Sequence, residues 1–252
     1  MKRALVVALT AGAMLTAGAA RADWSASAGF ENFRWEESTS PTVKESGLRW
    51  ALDLTWAQSR APGLSAGYNL KFYNGKVDYT GATLFTGLPA SDETHYRGLV
   101  NEIQAWYRMP NMLDFMLGLG WDHWDRRIRS TGQEETWNIL YAKFGIAYNM
   151  ATKQGFIGTA GVKYPAWTRE DGHFDVLGAL NNPRLRPGRD ISVYATAGYR
   201  FTPAWDVIAY YDSYRFKQSN LVAVDFPGAT GFFFQPESKM DVFGMKVQYN
   251  FQ

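Results

Sequence analysis

Leu48, Trp50, Leu52, Leu54 and Trp56 alternate with Arg49, Ala51, Asp53, Thr55 and Ala57. This period of two limits the fold more than any other feature, because only a β-strand sends successive side chains to opposite faces. The pattern recurs along the chain. Leu64 to Phe72 sets apolar residues against Ser65, Gly67, Asn69 and Lys71, and Leu113 to Trp121 does the same against Asp114, Met116, Gly118 and Gly120. Leu140 to Tyr148, Ile191 to Phe201 and Phe243 to Phe251 repeat it. Weaker segments begin near Trp24, Leu99, Phe156 and Trp205. That makes ten strands, with eight and twelve as the neighbouring counts.

One face of each strand is bulky and apolar, the other small, polar or charged. In a soluble sandwich the apolar face packs inward, whereas in a membrane barrel it meets lipid. Composition favours the second reading: 10 Trp, 14 Tyr and 24 Gly accompany a 16% aromatic content. Belts of Trp and Tyr mark both interfaces of such barrels. The expected fold is all-β: a closed antiparallel transmembrane β-barrel, closed because an unpaired sheet edge in hydrocarbon costs several kcal/mol per group.

The first 22 residues read as a cleaved leader. Met1-Lys2-Arg3 supplies a positive start, Ala4 to Leu15 is apolar, and Ala20-Arg21-Ala22 is a small-x-small site before Asp23. This three-part pattern is a secretory signal, leaving 23–252 as one barrel domain exported through the periplasm to the outer membrane of a Gram-negative cell. After it, no apolar run is long enough for a membrane helix. Removing Lys2, Arg3 and Arg21 leaves 23 basic against 24 acidic residues, so charge gives no pointer to nucleic acid. The absence of Cys excludes thiol chemistry and disulfides.

Connection lengths alternate. Short links are expected at Gln58–Gly63, Met109–Met112, Asn149–Gly155 and Thr202–Ala204, and long ones near Glu36–Ser46, Asn74–Tyr96, Asp125–Thr136, Pro165–Asp190 and Tyr214–Lys239. Short periplasmic turns and long extracellular loops are the asymmetry of outer-membrane barrels. The last strand ends in alternating apolar residues and Phe251, which resembles the signal read by the barrel-assembly machinery. Arg49, Asp53, Lys71, Glu102, Arg108, Asp122, Arg126, Lys143, Lys163, Arg200 and Asp212 fall on the inward phase. In a lumen little wider than that of an eight-stranded barrel, such charges are expected to pair and fill it.

Function then falls to the loops and upper rim. If the seventh strand extends past Pro165, Lys163, Trp167, Arg169, Asp171 and His173 share the inward face. An Asp beside a His orients the imidazole and raises its basicity, as activation of water requires. The ten-strand layout, Asp171-Gly172-His173, Ser91-Asp92-Glu93-Thr94 and the Val193–Tyr199 stretch before Thr202-Pro203 resemble the omptin family of outer-membrane proteases. The resemblance implies an endopeptidase in which Asp171 and His173 face two aspartates across the mouth. Where the family has Asp-x-Asp, this sequence has Asp78 and, further on, Asp92 with Glu93. No His-x-Ser of a lipid A deacylase occurs, and the three His lack the clustered acids of a metal site; no cofactor is expected.

The bland reading of Asp171 and His173 is a solvated loop. Arg184, Arg186 and Arg189 pair with lipopolysaccharide phosphates or simply keep a loop wet. His95 reads as a loop residue and His123 as interfacial. Phe226, Phe232, Phe233 and Phe234 cover the mouth or meet a partner. Three functions follow: a non-enzymatic barrel with a filled lumen and a binding or structural surface, an omptin-like peptidase, and a narrow selective, porin-like channel.

Overall fold

The computed structural model describes residues 22–58, 63–83, 87–109, 113–149 and 154–251. Ten long strands alternate up and down: β1 Ala22–Glu37, β2 Val43–Gln58, β3 Gly63–Ala82, β4 Pro89–Arg108, β5 Leu113–Ile128, β6 Glu134–Asn149, β7 Gly155–His173, β8 Ser192–Thr202, β9 Trp205–Lys217 and β10 Ser238–Asn250. Each pairs antiparallel with the next, and β10 pairs with β1, so the sheet closes into a barrel. The leader, except Ala22, lies outside the described residues, as do the short turns at 59–62, 110–112 and 150–153. The fourth short turn is Pro203-Ala204, between paired Thr202 and Trp205.

Ladder partners fix the stagger. Followed once round from Thr159, through Glu31 and Arg126, they return to the same strand at Gly172, thirteen residues on. One of the thirteen is a bulge at Ala166: Leu140 pairs with Trp167 while Tyr141 pairs with Pro165. The remaining shift of twelve is even, so inward residues meet inward residues on closure, and strands of such barrels tilt by about 35–45°.

The outward band is apolar, with Asn101 of β4 an exception that accepts from the Tyr68 hydroxyl at 2.6 Å. The band covers nine residues in β2 (Leu48–Trp56), β3 (Leu64–Phe72), β4 (Leu99–Tyr107), β5 (Leu113–Trp121), β6 (Leu140–Tyr148) and β8 (Val193–Phe201). Tilted strands of that length cross a lipid band about 25 Å tall. Above it every one of these strands except β8 continues, and the apolar phase changes face. In β3 the outward residues become Asn74, Lys76, Asp78 and Thr80 while Val77 and Tyr79 turn in, buried. In β5, Trp121 faces out but Trp124 and Ile128 face in; in β6, Leu140 faces out but Trp137 and Ile139 face in. Water replaces oil outside, so the ordinary rule of a soluble sheet takes over.

This inversion corrects the expected loops. Strands occupy much of the segments read as long links, and the extracellular loops shrink to 38–42, 129–133, 174–191, 218–237 and a second link of which 83 and 87–88 are described. His95 sits in β4 facing outward, laddered with Lys76 and Arg127. His123 stacks on Trp121 and bonds Asn138 at 3.1 Å, at the upper lipid edge.

The lumen is filled in layers. Low in the barrel are Lys246–Asp53 at 3.3 Å, Arg200–Asp206 at 2.8 Å and Lys143–Glu102 at 2.7 Å. Next, Glu31 gathers Arg49 at 2.8 Å, Lys71 and the Tyr210 hydroxyl. Lys163 pairs with Asp212 at 2.6 Å and lies 3.4 Å from the Tyr214 ring centre. Above them Phe33, Trp35, Tyr96, Trp124, Trp137, Tyr214 and Phe216 form an aromatic layer, with Trp124 and Trp137 stacked at 5.4 Å. Buried charges persist only when paired and hydrogen-bonded, and here most are. The tyrosines lie flat because a glycine faces them: a Cβ at Gly120 would come 2.2 Å from the Tyr141 ring, and one at Gly98 2.3 Å from that of Tyr73.

Candidate functional site

Above the aromatic layer the barrel opens into a cavity of about 530 Å³ at the extracellular mouth. All five loops contribute to its rim, through Thr39, Thr83, Thr131, Phe174 and Gln235 among others. The last two long loops join: Leu180 N–H donates to Asp225 O, and Phe174 packs on Phe233. Ser38 N–H donates to Glu237 O, tying the first loop to the fifth. The aromatic expectation for the fifth loop holds in part: Phe233 and Phe234 line the cavity, Phe226 packs on Phe233, and Phe232 is exposed.

Among the described residues four carboxylates line this cavity, Glu37, Asp92, Glu135 and Glu170, against one cation, Arg126. Arg126 is already engaged: its guanidinium donates to Glu135 at 2.6 Å and to Glu45 at 3.0 Å. Glu37 accepts from Trp35 Nε1 at 2.9 Å and Gln235 Nε2 at 3.1 Å. Asp92 accepts from the Ser130 N–H at 3.0 Å. Glu170 differs. It is 3% exposed, and its buried Oε2 has no hydrogen-bond partner among the described residues. Burial first, then the Glu135 and Glu37 carboxylates, push Glu170 well above the usual carboxylate range. Burial likewise raises Glu37, with Arg126 opposing.

Glu170 reaches the cavity because of the bulge at Ala166. A strand with one extra residue exchanges its faces beyond that point. Thr168, Glu170 and Gly172 therefore turn inward, and Trp167, Arg169, Asp171 and His173 turn out. The expectation of an inward Asp-His pair is corrected on this ground; it took the strand as uninterrupted. Asp171 accepts from Arg169 at 2.8 Å and Arg184 at 3.2 Å, while His173 Nε2 lies 3.1 Å from Thr136 Oγ1. No hydrogen bond joins Asp171 to His173 among the described residues.

The other two candidates stand elsewhere. Asp78 points outward from β3, laddered with Ser46 and Glu93. Asp92 borders the cavity from β4, with two strands, β5 and β6, between it and β7. The four residues do not converge on one cleft. What the sequence reading missed was the carboxylate group of Glu37, Glu135 and Glu170. Pro165 carried a signal: proline cannot donate to a ladder, and inside a sheet without edges it belongs at a bulge.

With the geometry in hand, comparison with known proteins adds the fold. No family model matches the chain, and no curated protein matches it in sequence. Among solved structures, the outer-membrane protease OmpT from Escherichia coli superposes with a TM-score of 0.57 at 12% identity, covering 91% of this chain and 97% of that one. The chain is an omptin-like outer-membrane barrel in fold, and the likeness is distant. The transport unit of the autotransporter AIDA-I from Escherichia coli is also similar, with a TM-score of 0.47 at 10% identity over 94% of this chain and 92% of that one. Ail of Yersinia pestis, solved with a heparin analogue, has a TM-score of 0.39 at 10% identity over 92% of this chain and 99% of its own. At 12% identity the likeness to OmpT speaks for architecture alone.

Proposed function

We propose that this protein is a non-enzymatic outer-membrane barrel that keeps its lumen shut and offers its extracellular mouth as a ligand-binding surface. The observation that carries this reading is the sequence of layers: a cavity ringed by five loops above a packed aromatic and ion-paired interior. A guest can enter from outside without a path onward. The outward orientation of Asp171 and His173, each held by other partners, supports binding over hydrolysis.

The outer face adds a lipid contact. Arg97 lies just above the apolar band, its guanidinium 5.9 Å from the Phe72 ring centre, and Arg169 and Arg184 share Asp171 further round. Guanidinium groups at this level suit lipopolysaccharide phosphates by bidentate pairing. Delivery by a leader and insertion by the assembly machinery belong to the same reading.

Two measurements test it. In planar bilayers the purified protein is expected to give no stable openings; steady conductance would establish the channel instead. Against a peptide library the wild type is expected to leave every peptide intact. Cleavage that disappears in Asp171→Ala or His173→Ala would establish the peptidase, whose support is the likeness of fold.

A further inference from the structure

We propose that the mouth cavity binds a small organic cation, an ammonium on an apolar stem, with Glu170 as its counter-ion. The inference rests on the mouth being a binding site and names the chemistry it takes. Three observations meet there. Among the described lining residues, carboxylates outnumber cations four to one, and the one cation is bonded to Glu45 and Glu135. Glu170 is the carboxylate left over: it is buried, borders the cavity, and its Oε2 has no donor among the described residues; an ammonium that takes that place sends any proton on the carboxyl to solvent. A buried acceptor with no partner costs free energy that a bound donor returns, more so when the donor is charged.

The walls define the rest of the guest. Val43, Tyr79, Ile128, Phe174, Leu185 and Phe233 surround the carboxylates with apolar and aromatic surface. Such surface suits a hydrocarbon stem, and rings also attract ammonium through their faces. A bare metal ion fits poorly, since no three or more His, Asp or Glu among the described residues are arranged to hold one. An anion meets the wrong charge. The volume, about 530 Å³, is that of a small-molecule site. The bridged loops, Ser38 to Glu237 and Leu180 to Asp225, favour a compact guest over an extended chain.

The test uses the full barrel in detergent micelles at neutral pH, with 2-phenylethylammonium, 2-phenylethanol and phenylacetate as probes. Calorimetry reads affinity. Tryptophan fluorescence reads occupancy, because Trp35 donates to Glu37 on the cavity wall. The ammonium is expected to saturate and to bind at least tenfold more tightly than the alcohol, with phenylacetate weakest. Glu170→Gln, checked for folding by heat-modifiable mobility, is expected to erase that tenfold preference while leaving the alcohol unchanged. If that variant fails to fold, the wild-type ratio of ammonium to alcohol decides alone. Equal binding of ammonium and alcohol overturns the cation while leaving the mouth a binding site. Failure of all three probes to bind overturns both.

Discussion

At the residue scale Glu170 concentrates the physics of the mouth. Its carboxyl is held well above the ordinary range by burial and by Glu135 and Glu37. A group whose folded pKa exceeds its unfolded value binds more protons when folded, so stability falls as pH rises through that interval. Wild type is therefore expected to lose stability from about pH 4 upward, whereas Glu170→Gln lacks this contribution. The variant should melt higher than wild type at pH 7 to 8, with the gap closing in acid. Thermal melts in detergent across pH check this, and a gap that widens in acid would reverse the sign argued here.

At the scale of single strands, two devices set what each side chain meets. The bulge at Ala166 is the first. Because the chain has no native cysteine, single cysteines report facing cleanly. Arg169→Cys and Asp171→Cys are expected to react fast with a membrane-impermeant maleimide on intact cells, and Thr168→Cys slowly. The opposite order would remove the bulge from the account. The second device is the change of face above the lipid band. Leu117→Arg, on the lipid face between Phe115 and Leu119, should cost about 2–4 kcal/mol of folding free energy in vesicles. Asp125→Arg, outward above the band, should cost far less.

These devices explain what was legible in the sequence. Leu48 to Trp56 and its nine-residue counterparts announced themselves because oil outside and polar packing inside make the two faces chemically distinct. Lys76 to Tyr79 did not. There the apolar residues Val77 and Tyr79 sit on the opposite phase from Leu70 and Phe72, so a reader expecting one phase sees only a polar link. Asp171 and His173 were placed on the wrong face for a related reason: one inserted residue shifts parity and leaves composition untouched. Arg126 was legible as an inward charge, since β5 keeps a single parity from Leu113 to Ile128. Its partners Glu45 and Glu135 were not: all three lie in stretches read as links, but the parity of β5 alone was carried beyond its apolar run.

For the whole molecule, stability and impermeability share one cause. The interior pairs join strands far apart in the chain: Glu31 of β1 meets Arg49, Lys71 and Tyr210, and Glu45 of β2 meets Arg126 of β5. Glu31→Leu would leave Arg49 and Lys71 buried without their anion, and breaking a buried pair from one side costs about 3–5 kcal/mol. Urea unfolding in lipid vesicles is expected to report that loss as one cooperative transition. Conductance should remain absent, since the aromatic layer stands above the site of change.

The exchange of apolar faces along each strand has a further consequence. It draws a waterline along the hull, written into β2 through β6 alike, so immersion depth is a property of the polypeptide rather than of any anchor. Each residue of strand rises about 3.3 Å. Repainting one outward tier from polar to greasy, at Asn74, Arg97 and their neighbours, should therefore sink the vessel by several ångströms and carry its mouth toward the headgroups.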